Sequence, residues 1–343
     1  MTITRIKLEN FTVFERLDLE PSPGINVLVG ANGTGKTHLM KVCYAACAVS
    51  KSEESFAAKL VKVFLPSGHP QERLNRLINR GIESQMAILE IFRGQSSIDA
   101  RLSSNSTDPL YPYFSSTSHW SSSPVESVYI PPKEMLSNAP GFRSLYAARE
   151  IHFEEVYADI LDRAYLPPLR GQVVGHSKRL LDSLEEAIDG KVTVRNEEFF
   201  LSNEEGDLEF TLLAEGLRKL GLLWLLIRNG TLKEGSVLFW DEPETNLNPK
   251  LYGVVIDVLL ELQRIGVQIF LATHDYVILK ELDLQAKEGD KVAFHSLYRS
   301  EETGEIACQT SRSYSAIHPN AIADTFSSIY DRHVTRALEG IVK

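Results

Sequence analysis

The sequence has few cysteines and no long apolar segment, and both absences exclude classes of protein. Its 343 residues include three cysteines, and Cys43 and Cys47 lie four positions apart without a second Cys or His pair to complete a zinc site. The odd number, completed by Cys308, predicts free thiols rather than a disulfide framework. The longest apolar run, residues 221–227, is far too short to cross a bilayer, and the N-terminus lacks the layout of a secretory signal. We therefore expect a cytoplasmic protein without a membrane partner.

Basic residues are also fewer than acidic ones. Lys and Arg number 36 against 46 Asp and Glu, which gives a formal net charge of −10. Because neutralising phosphates requires a basic surface, this balance excludes indiscriminate coating of nucleic acid and leaves only a local contact with DNA open. With 43% hydrophobic residues the chain can bury a substantial core, so disorder is not expected.

Sustained heptads and internal repeats are missing as well, which argues against a coiled-coil tether. The sequence instead alternates strand and helix patterns, as α/β proteins do. Strands are predicted at 2–9, 16–20, 25–29, 86–92, 97–102, 125–130, 191–194, 208–212, 236–240, 268–272, 292–298 and 305–310. Helices are predicted at 36–48, 56–79, 142–188, 214–228 and 250–265, after 275 and from 319. A serine-rich tract at 103–124 is expected to be a mobile surface loop, part of which docks through Tyr111, Tyr113, Phe114 or Trp120.

A glycine-rich segment follows the apolar strand predicted at 25–29. Residues 30–37 spell Gly-Ala-Asn-Gly-Thr-Gly-Lys-Thr and match the phosphate-binding pattern G-x-x-x-x-G-K-[ST], with a strand before it and a helix after it. Glycines let successive backbone N–H groups turn toward phosphates, and the helix N-terminus adds its positive end. In this pattern Lys36 neutralises the β and γ phosphates, and the Thr37 hydroxyl coordinates Mg²⁺. The predicted nucleotide-binding residues here are Gly30, Ala31, Asn32, Gly33, Thr34, Gly35, Lys36, Thr37 and His38.

Two adjacent carboxylates end another apolar strand, at 236–240. Asp241 and Glu242 lie at the carboxyl end of that strand, where ligands bind in doubly wound sheets. Adjacent acids can divide the work, so Asp241 would hold Mg²⁺ while Glu242 would orient and polarise the attacking water. His274 ends the next strand and is predicted to contact the γ-phosphate. The expected catalytic residues are Glu242, His274 and Lys36, and the expected metal ligands are Thr37 and Asp241.

Together these motifs resemble the ABC ATPases of the SMC, RecF and OLD group. The phosphate loop, the Asp-Glu strand end, Glu-Pro-Glu-Thr-Asn-Leu-Asn-Pro at 242–249 and Thr-His-Asp at 273–275 carry the resemblance. It implies ATP and Mg²⁺ as cofactors and an α/β, ABC-type ATPase fold. That fold has a mixed β-sheet lobe, a central RecA-like parallel sheet and an inserted helical subdomain, without a long coiled coil. The implied divisions are an N-terminal ATPase lobe at 1–50, an insert at 51–205, a C-terminal ATPase lobe at 206–290, and a closing strand pair and helix at 291–343.

The resemblance also assigns segments around the acidic pair. Residues 243–249 resemble the D-loop, and His274 aligns with the switch histidine. The signature motif, which in this group contacts the γ-phosphate held by the opposite subunit, corresponds to residues 213–217. Its predicted nucleotide contacts are Ala214, Glu215 and Gly216. Ala214 replaces the usual serine, so one hydroxyl that would reach across a dimer is absent and the helix N-terminus must do more of the work.

Two segments in the middle of the chain have two interpretations each. Residues 131–134 are assigned to the glutamine loop by their order along the chain, but Lys133 and Glu134 are equally well explained as surface residues. A run of basic residues at helical spacing would bind DNA phosphates or an acidic partner, or would be a solvated helix face. Its members are Arg73, Arg76 and Arg80, with Lys59 and Lys62 upstream.

Three roles are compatible with this family. The first, which we expect, is an ATP-driven homodimeric switch that controls a separately encoded effector such as a nuclease or toxin, as in stand-alone ATPases of bacterial antiphage defence. The second is a RecF-like DNA-repair or DNA-clamping ATPase. The third, a transporter motor subunit, is disfavoured by Ala214 and by a D-loop without Ser-Ala-Leu-Asp. The acidic total favours protein partners, and from the length of the stretch after His274 we expect no appended nuclease domain in it.

Overall fold

The computed structural model describes residues 2–69, 72–81, 86–103, 120–171 and 175–341. Its strands are β1 (Arg5–Phe11), β2 (Phe14–Leu19), β3 (Ile25–Val29), β4 (Met86–Arg93), β5 (Ser96–Ser103), β6 (Ser127–Ile130), β7 (Lys191–Arg195), β8 (Glu198–Asn203), β9 (Gly206–Glu209), β10 (Val237–Asp241), β11 (Gln268–Ala272), β12 (Val292–Arg299) and β13 (Ile306–Ser311). Its α-helices are α1 (Lys36–Val49), α2 (Phe56–Phe64), α3 (Phe142–Ala147), α4 (Glu155–Ala164), α5 (His176–Ile188), α6 (Glu215–Arg228), α7 (Tyr252–Arg264), α8 (Tyr276–Gln285) and α9 (Ala321–Ile341).

A six-stranded sheet with the order β13-β12-β3-β11-β10-β6 positions the candidate site. Strands β3, β11 and β10 are buried along their whole length, because hydrophobic clusters cover both faces of the sheet. All neighbouring pairs are parallel except β12 with β13. The register aligns Ala272 with both Leu28 and Asp241, so the carboxyl ends of the three central strands lie level. The phosphate loop and the acidic pair therefore flank β11 at one end of the sheet.

A second, antiparallel sheet has the order β2-β1-β4-β5. Its strands alternate inward and outward positions, with Ile6 and Leu8 of β1 fully buried. Those side chains share a hydrophobic cluster with α1 and with one face of the central sheet. The predicted α/β fold, with a β-sheet lobe beside a central parallel sheet, is confirmed.

The serine-rich tract ends in a buried aromatic residue. Trp120 is 1% exposed, and its indole N–H donates to the carbonyl of Ala46 in α1 at 2.9 Å. The guanidinium of Arg93 lies 3.8 Å from the centre of the indole ring and donates to the Trp120 carbonyl at 2.8 Å. Docking of the tract is thus confirmed for Trp120. The mobile loop predicted here, with Tyr111, Tyr113 and Phe114, falls on residues 104–119, which lie outside the described residues.

The helix predicted at 56–79 was wrong, because α2 already ends at Phe64. Leu65 adopts a left-handed φ of 46° and precedes a proline, and the residue before a proline is disfavoured in helical backbone. A short 3-10 turn follows at Leu74–Leu77. Arg73 precedes that turn and Arg80 follows it, so the predicted helical face of three arginines does not form.

The region between β6 and α6 also departs from the prediction. The single helix predicted at 142–188 is divided into α3, α4 and α5, and the Pro167-Pro168 pair follows α4. The small antiparallel sheet β7-β8-β9 contains one strand that was missed, β8. The strand predicted at 208–212 is β9 followed by the 3-10 turn Phe210–Leu212, in which the Phe210 ring leaves the sheet and enters the core.

The chain ends in the long helix α9, which rests on α8. The rings of Phe326 and Tyr276 stack with their centres 4.4 Å apart, and residues 331–338 of α9 are exposed. The predicted absence of a long coiled coil is confirmed for the described residues. In the same part of the chain, no helix combines the length and apolar character needed to span a bilayer. The three cysteines are free thiols, as expected.

Candidate nucleotide site

The loop between β3 and α1 takes a backbone shape that only glycine permits at its ends. Gly30 and Gly35 have φ values of 153° and 93°. A Cβ at Gly30 would lie 2.2 Å from the carbonyl oxygen of Leu297, and a Cβ at Gly35 would lie 2.5 Å from the ring of Phe14. The loop is therefore packed against two neighbouring strands, and it presents the N-terminus of α1 at the carboxyl end of the sheet.

Lys36 is the first residue of α1 and points back over the loop. Its side chain is buried, and its ammonium donates to the carbonyl of Gly30 at 2.7 Å and to that of Ala31 at 3.0 Å. Burial lowers the pKa of Lys36 to about 8, against the opposing effect of nearby carboxylates, Asp241 first. The amine thus lies inside the concave side of the loop, where the motif requires a cation.

Asp241 ends β10 directly opposite the start of α1. Its Oδ2 accepts a hydrogen bond from the Thr37 hydroxyl at 2.8 Å and another from the Tyr129 hydroxyl at 3.0 Å. Burial raises the pKa of Asp241, and the two hydroxyl donors oppose that shift. Sequence reasoning missed Tyr129, because its hydroxyl reaches Asp241 only through the pairing of β6 with β10.

Thr37 and Asp241 fit a magnesium ion. Mg²⁺ prefers hard oxygen ligands and takes one or two from protein, with the remainder from water and phosphate. A hydroxyl and a carboxylate that already meet at 2.8 Å provide such a pair beside the phosphate loop. These two residues would hold the ion, which would supply charge stabilisation to the phosphates.

Glu242 follows Asp241 in a strained conformation. Its φ is 50°, which is uncommon for a residue with a Cβ. The Glu242 carboxylate accepts from the Thr245 hydroxyl at 3.2 Å, and its other oxygen lies 3.6 Å from Nε2 of His274. The side chain is 37% exposed, so water reaches it. Lys36, Asp241, Glu242 and His274 are thus brought together as predicted, while their catalytic roles stay predictions.

Glu244 positions the histidine and was not identified from the sequence. Its Oε1 accepts from the Thr273 hydroxyl and from the backbone N–H of His274, both at 2.8 Å. Burial raises the pKa of Glu244, and these donors oppose the shift. Burial also lowers the pKa of His274, with a further lowering by Lys36. The signal available in the sequence was the second acid of the Glu-Pro-Glu segment, whose partners are visible only in the fold.

His38 lies at the other side of the phosphate loop. It lines a cavity of about 560 Å³ together with Thr12, Val13, Arg76 and Arg80. Burial lowers the pKa of His38 to about 4, and among the described residues its Nδ1 has no hydrogen-bond partner. The imidazole is therefore neutral and its Nδ1 is buried, so contact of His38 with the nucleotide stays a prediction.

The first turn of α6 packs against residues 242–247, and we name this contact the signature clasp. Its members on the helix are Glu215, Gly216 and Lys219. The Glu215 carboxylate accepts from the side-chain amide of Asn246 at 2.9 Å. A Cβ at Gly216 would lie 2.9 Å from the Asn246 carbonyl oxygen and 3.0 Å from Cα of Leu247. Packing within one chain therefore already requires glycine here, and contact of Ala214, Glu215 and Gly216 with the nucleotide of a second copy stays a prediction.

Residues 131–134 lie beside the acidic strand, because β6 pairs with β10. Glu134 is buried rather than at the surface; it accepts from the Leu136 N–H, and its Oε2 lies 3.1 Å from the Arg218 guanidinium. Arg218 also donates to the Leu213 carbonyl at 2.8 Å. This segment is thus joined to the start of α6, whereas Lys133 is exposed. Its assignment as a glutamine loop stays a prediction.

The two upstream lysines of the predicted basic run have partners within the fold. Lys59 is buried and pairs with Glu155 and Asp159, both at 2.8 Å. Lys62 pairs with Glu54 at 2.7 Å. These lysines join α2 to α4 and to the segment before α2, so they add no free charge to a surface for phosphates.

Comparisons with known proteins agree with this geometry. The family described as "AAA domain, putative AbiEii toxin, Type IV TA system" matches residues 25–280, about three quarters of the chain. Over 77 residues, 22% of this chain and 21% of the relative, the sequence is 35% identical to DNA replication and repair protein RecF of Lachnoclostridium phytofermentans. The matched part spans a quarter or less of the length of such curated relatives.

Two solved structures share the fold. An Smc head domain with an extended coiled coil, derived from Pyrococcus furiosus and bound to the C-terminal domain of ScpA, is similar with a TM-score of 0.54 at 14% identity, covering 99% of each chain. The SMC head domain from Thermotoga maritima gives a TM-score of 0.50 at 15% identity, covering 91% of this chain and all of that one. The chain therefore belongs to the family described as "AAA domain, putative AbiEii toxin, Type IV TA system", and it has the ABC-type fold of SMC head domains.

Proposed function

We propose that this chain binds and hydrolyses ATP with Mg²⁺, and that ATP-dependent pairing of two copies forms a switch that controls a separately encoded effector. One observation carries the catalytic part: Thr37 and Asp241, 204 positions apart, meet at 2.8 Å beside a lysine-bearing phosphate loop. A structural role alone does not require a hydroxyl and a carboxylate at the carboxyl end of a parallel sheet, where ligands bind.

The side chains divide the proposed reaction between them. Lys36 neutralises the β and γ phosphates, and the N–H groups at the start of α1 hold their oxygens. Glu242, which is accessible to water, polarises the attacking water, and His274 contacts the γ-phosphate from the neighbouring strand end. His38 contributes to the binding of the nucleotide through the cavity beside it.

Pairing of two copies would complete each site. In a symmetric head-to-tail dimer, the first turn of α6 in one copy faces the nucleotide of the other, with Gly216 close to the γ-phosphate. Ala214 supplies no hydroxyl for that contact, so the backbone N–H groups of the turn carry it. Only a nucleotide with a γ-phosphate makes the contact, and this difference separates the paired from the unpaired state.

The solution mass of the Glu242→Gln variant tests this switch. The chain has a mass of 38.5 kDa, and the variant with ATP and Mg²⁺ should shift from that mass to twice that mass in light scattering. ADP should leave the distribution unchanged. Equal distributions with ATP, ADP and no nucleotide would rule out pairing controlled by the γ-phosphate.

Control of an effector is supported by the family description, which names a putative toxin and a toxin–antitoxin system. The net charge of −10 also favours a protein partner over a nucleic acid. Co-expression of the chain with each neighbouring reading frame tests the effector. Growth arrest or nuclease activity that depends on Lys36 is the expected result, and arrest that is identical with Lys36→Ala would separate the effector from this ATPase.

A second candidate is a RecF-like ATPase that clamps DNA. The similarity to RecF supports it, as do Arg76 and Arg80 at the cavity beside the phosphate loop. Fluorescence anisotropy with duplex DNA, measured with ATP and with ADP over a salt series, distinguishes the two candidates. ATP-dependent binding that weakens steeply with salt would favour the clamp, because phosphate contacts release counter-ions.

A further inference from the structure

A buried lysine lies behind the acidic strand end, and the binding of ATP does not explain it. Lys219 in α6 is 1% exposed, and its ammonium donates to the carbonyl of Thr245 at 2.6 Å. The carbonyl oxygen of Glu242 lies 3.5 Å from the same atom. No ion pair to Lys219 is formed by the described residues. Burying an ammonium without a direct counter-ion is unfavourable, so its contacts with the two carbonyls have to compensate.

The surroundings of Lys219 are acidic but do not touch it. Burial lowers the pKa of Lys219, and four glutamates oppose that effect through space. They are Glu215, Glu244, Glu242 and Glu134 in order of decreasing influence. Three of these belong to the signature clasp or to the loop that follows β10. The positive charge of the lysine thus reduces the mutual repulsion of these carboxylates.

The two carbonyls belong to the turn that sets the direction of Glu242. This residue has a left-handed φ of 50°, a backbone conformation that is unfavourable for a residue with a Cβ and persists only where neighbouring groups hold it. Four contacts do so. The Glu242 N–H donates to the Ala272 carbonyl at 2.9 Å, and its carboxylate accepts from the Thr245 hydroxyl. Its carbonyl accepts from the Thr245 N–H at 3.1 Å and from the Lys219 ammonium at 3.5 Å. Without Lys219, the Thr245 carbonyl loses its ammonium donor and the Glu242 carbonyl keeps only the Thr245 N–H at 3.1 Å, so the turn is held less tightly.

The same lysine connects this turn to the first turn of α6. Glu215 and Gly216 lie one turn before Lys219 and contact Asn246 and Leu247. We infer that Lys219 is a positioning residue that fixes Glu242 for hydrolysis and links it to the first turn of α6 through the carbonyls of Glu242 and Thr245. The inference rests on the proposed function, since it gives Glu242 a reaction to perform.

The link has a consequence in the dimer. The first turn of α6 would serve the nucleotide bound by the partner, whereas Glu242 would serve the nucleotide of its own chain. Lys219 therefore connects the two sites through fewer than ten residues, at 215–219 and 242–245. Closure of the first turn of α6 on the partner's nucleotide would orient Glu242, which acts on the nucleotide of its own chain.

The test is a comparison of Lys219→Met, Glu242→Gln and the double variant under single-turnover conditions. Lys219→Met should lower the rate of hydrolysis roughly tenfold to a hundredfold, the effect expected of a displaced catalytic group, while the Kd for ATP stays within about twofold. In the Glu242→Gln background the same substitution should change the rate by less than about twofold, because a residue acting through Glu242 has nothing left to position. Lys219→Arg, which keeps the charge and donors, should restore most of the rate.

Lys59→Met is the matched control, since Lys59 is also buried on a helix but is held by carboxylates far from the turn. It should lower the melting temperature and leave the hydrolysis rate within about twofold at temperatures where the variant is folded. If Lys219→Met does not fold, Lys219→Gln, which keeps an N–H donor, takes its place in the comparison.

Several outcomes would overturn the inference. They are an unchanged rate in Lys219→Met, a loss of rate that multiplies with that of Glu242→Gln, or a loss of ATP affinity equal to the loss of rate. Absence of hydrolysis by the wild-type chain would instead refute the proposed function, and the inference with it.

Discussion

Lys36 and Lys219 are both buried, and each donates to two backbone carbonyls at the same end of the central sheet, yet their surroundings differ. Around Lys36 the loop contains three glycines and no side chain caps the N-terminus of α1, so backbone N–H groups there can bind a ligand. Around Lys219 the carbonyls, the Glu215 carboxylate and the Asn246 amide satisfy one another within the chain.

This difference separates two kinds of functional residue. Groups around Lys36 lie where they would touch the nucleotide, so their loss should affect binding or chemistry directly. Lys219 touches only other protein atoms, so its loss should act through Glu242. The following predictions test that division, beginning with the largest expected effect.

Glu242→Gln should give the largest loss of rate. The amide keeps the size of the side chain and removes the base, so hydrolysis should slow by roughly 10²- to 10⁴-fold, the range for a general base. ATP affinity should be unchanged, because the amide keeps the packing of the turn. Phosphate release and nucleotide binding measured on the same sample check this, and turnover within threefold of wild type would remove Glu242 from the reaction.

Lys36→Ala should abolish measurable ATP binding. Charge-assisted hydrogen bonds contribute about 1.5–3 kcal/mol each, so loss of two contacts corresponds to a weakening of roughly a hundredfold or more. Isothermal titration with ATP and Mg²⁺ measures it. Lys219→Met is the matched comparison, and an equal loss of affinity in both variants would show that the two buried lysines have the same role.

ATP binding should weaken as the pH rises through about 8. The pKa of Lys36 is lowered to about 8 by burial, so the amine is charged below that pH and neutral above it, and only the charged form pairs with phosphate. ATP affinity should be constant below pH 7 and should fall by up to about tenfold per pH unit above the midpoint of the Lys36 titration. Bound phosphate stabilises the charged amine, so it will raise this midpoint. Lys36→Arg keeps its charge and should show a flat profile; the same slope in both proteins would assign the titration to another group.

Tyr129→Phe should have the smallest effect. The substitution removes one hydrogen bond to Asp241 and keeps the buried ring, at a cost of about 1 kcal/mol. The Mg²⁺ concentration needed for half-maximal hydrolysis should therefore change by less than about tenfold, with ATP binding in the absence of Mg²⁺ unaltered. A loss as large as that of Asp241→Ala would instead make Tyr129 as important as the proposed metal ligand.

The sequence predictions were accurate where an element depends on neighbouring residues and inaccurate where it depends on contacts with distant ones. The strands β3, β10 and β11 were predicted almost to the residue, because continuous apolar runs between turn signals are typical of buried parallel strands. The phosphate loop was identified because its glycines and lysine are adjacent in sequence. In the region 51–205 the strands β4, β5, β6 and β7 were predicted to within two residues at each end, but the helices were predicted poorly. These helices end at Phe64 or before Pro167, and their lengths depend on packing against α1 and α6.

Residues whose role depends on a distant partner were missed for the same reason. Tyr129, Glu244 and Lys219 occur in unremarkable local patterns, and their hydrogen bonds span 112, 30 and 26 positions. The arginine face at 73–80 was predicted from a helical spacing that the backbone does not adopt. The spacing of residues shows which of them share a face only once the secondary structure of the segment is known.

By itself, the sequence determined the glycine-lined loop, the two acids at a strand end and the α/β fold, because each depends on the chemistry of neighbouring residues. Only the tertiary structure decided that Tyr129 shares Asp241 with Thr37, that Glu242 is held in a left-handed turn, and that Lys219 reaches its carbonyl. These contacts depend on strand order and on the packing of α6, which bring together side chains that no local pattern relates.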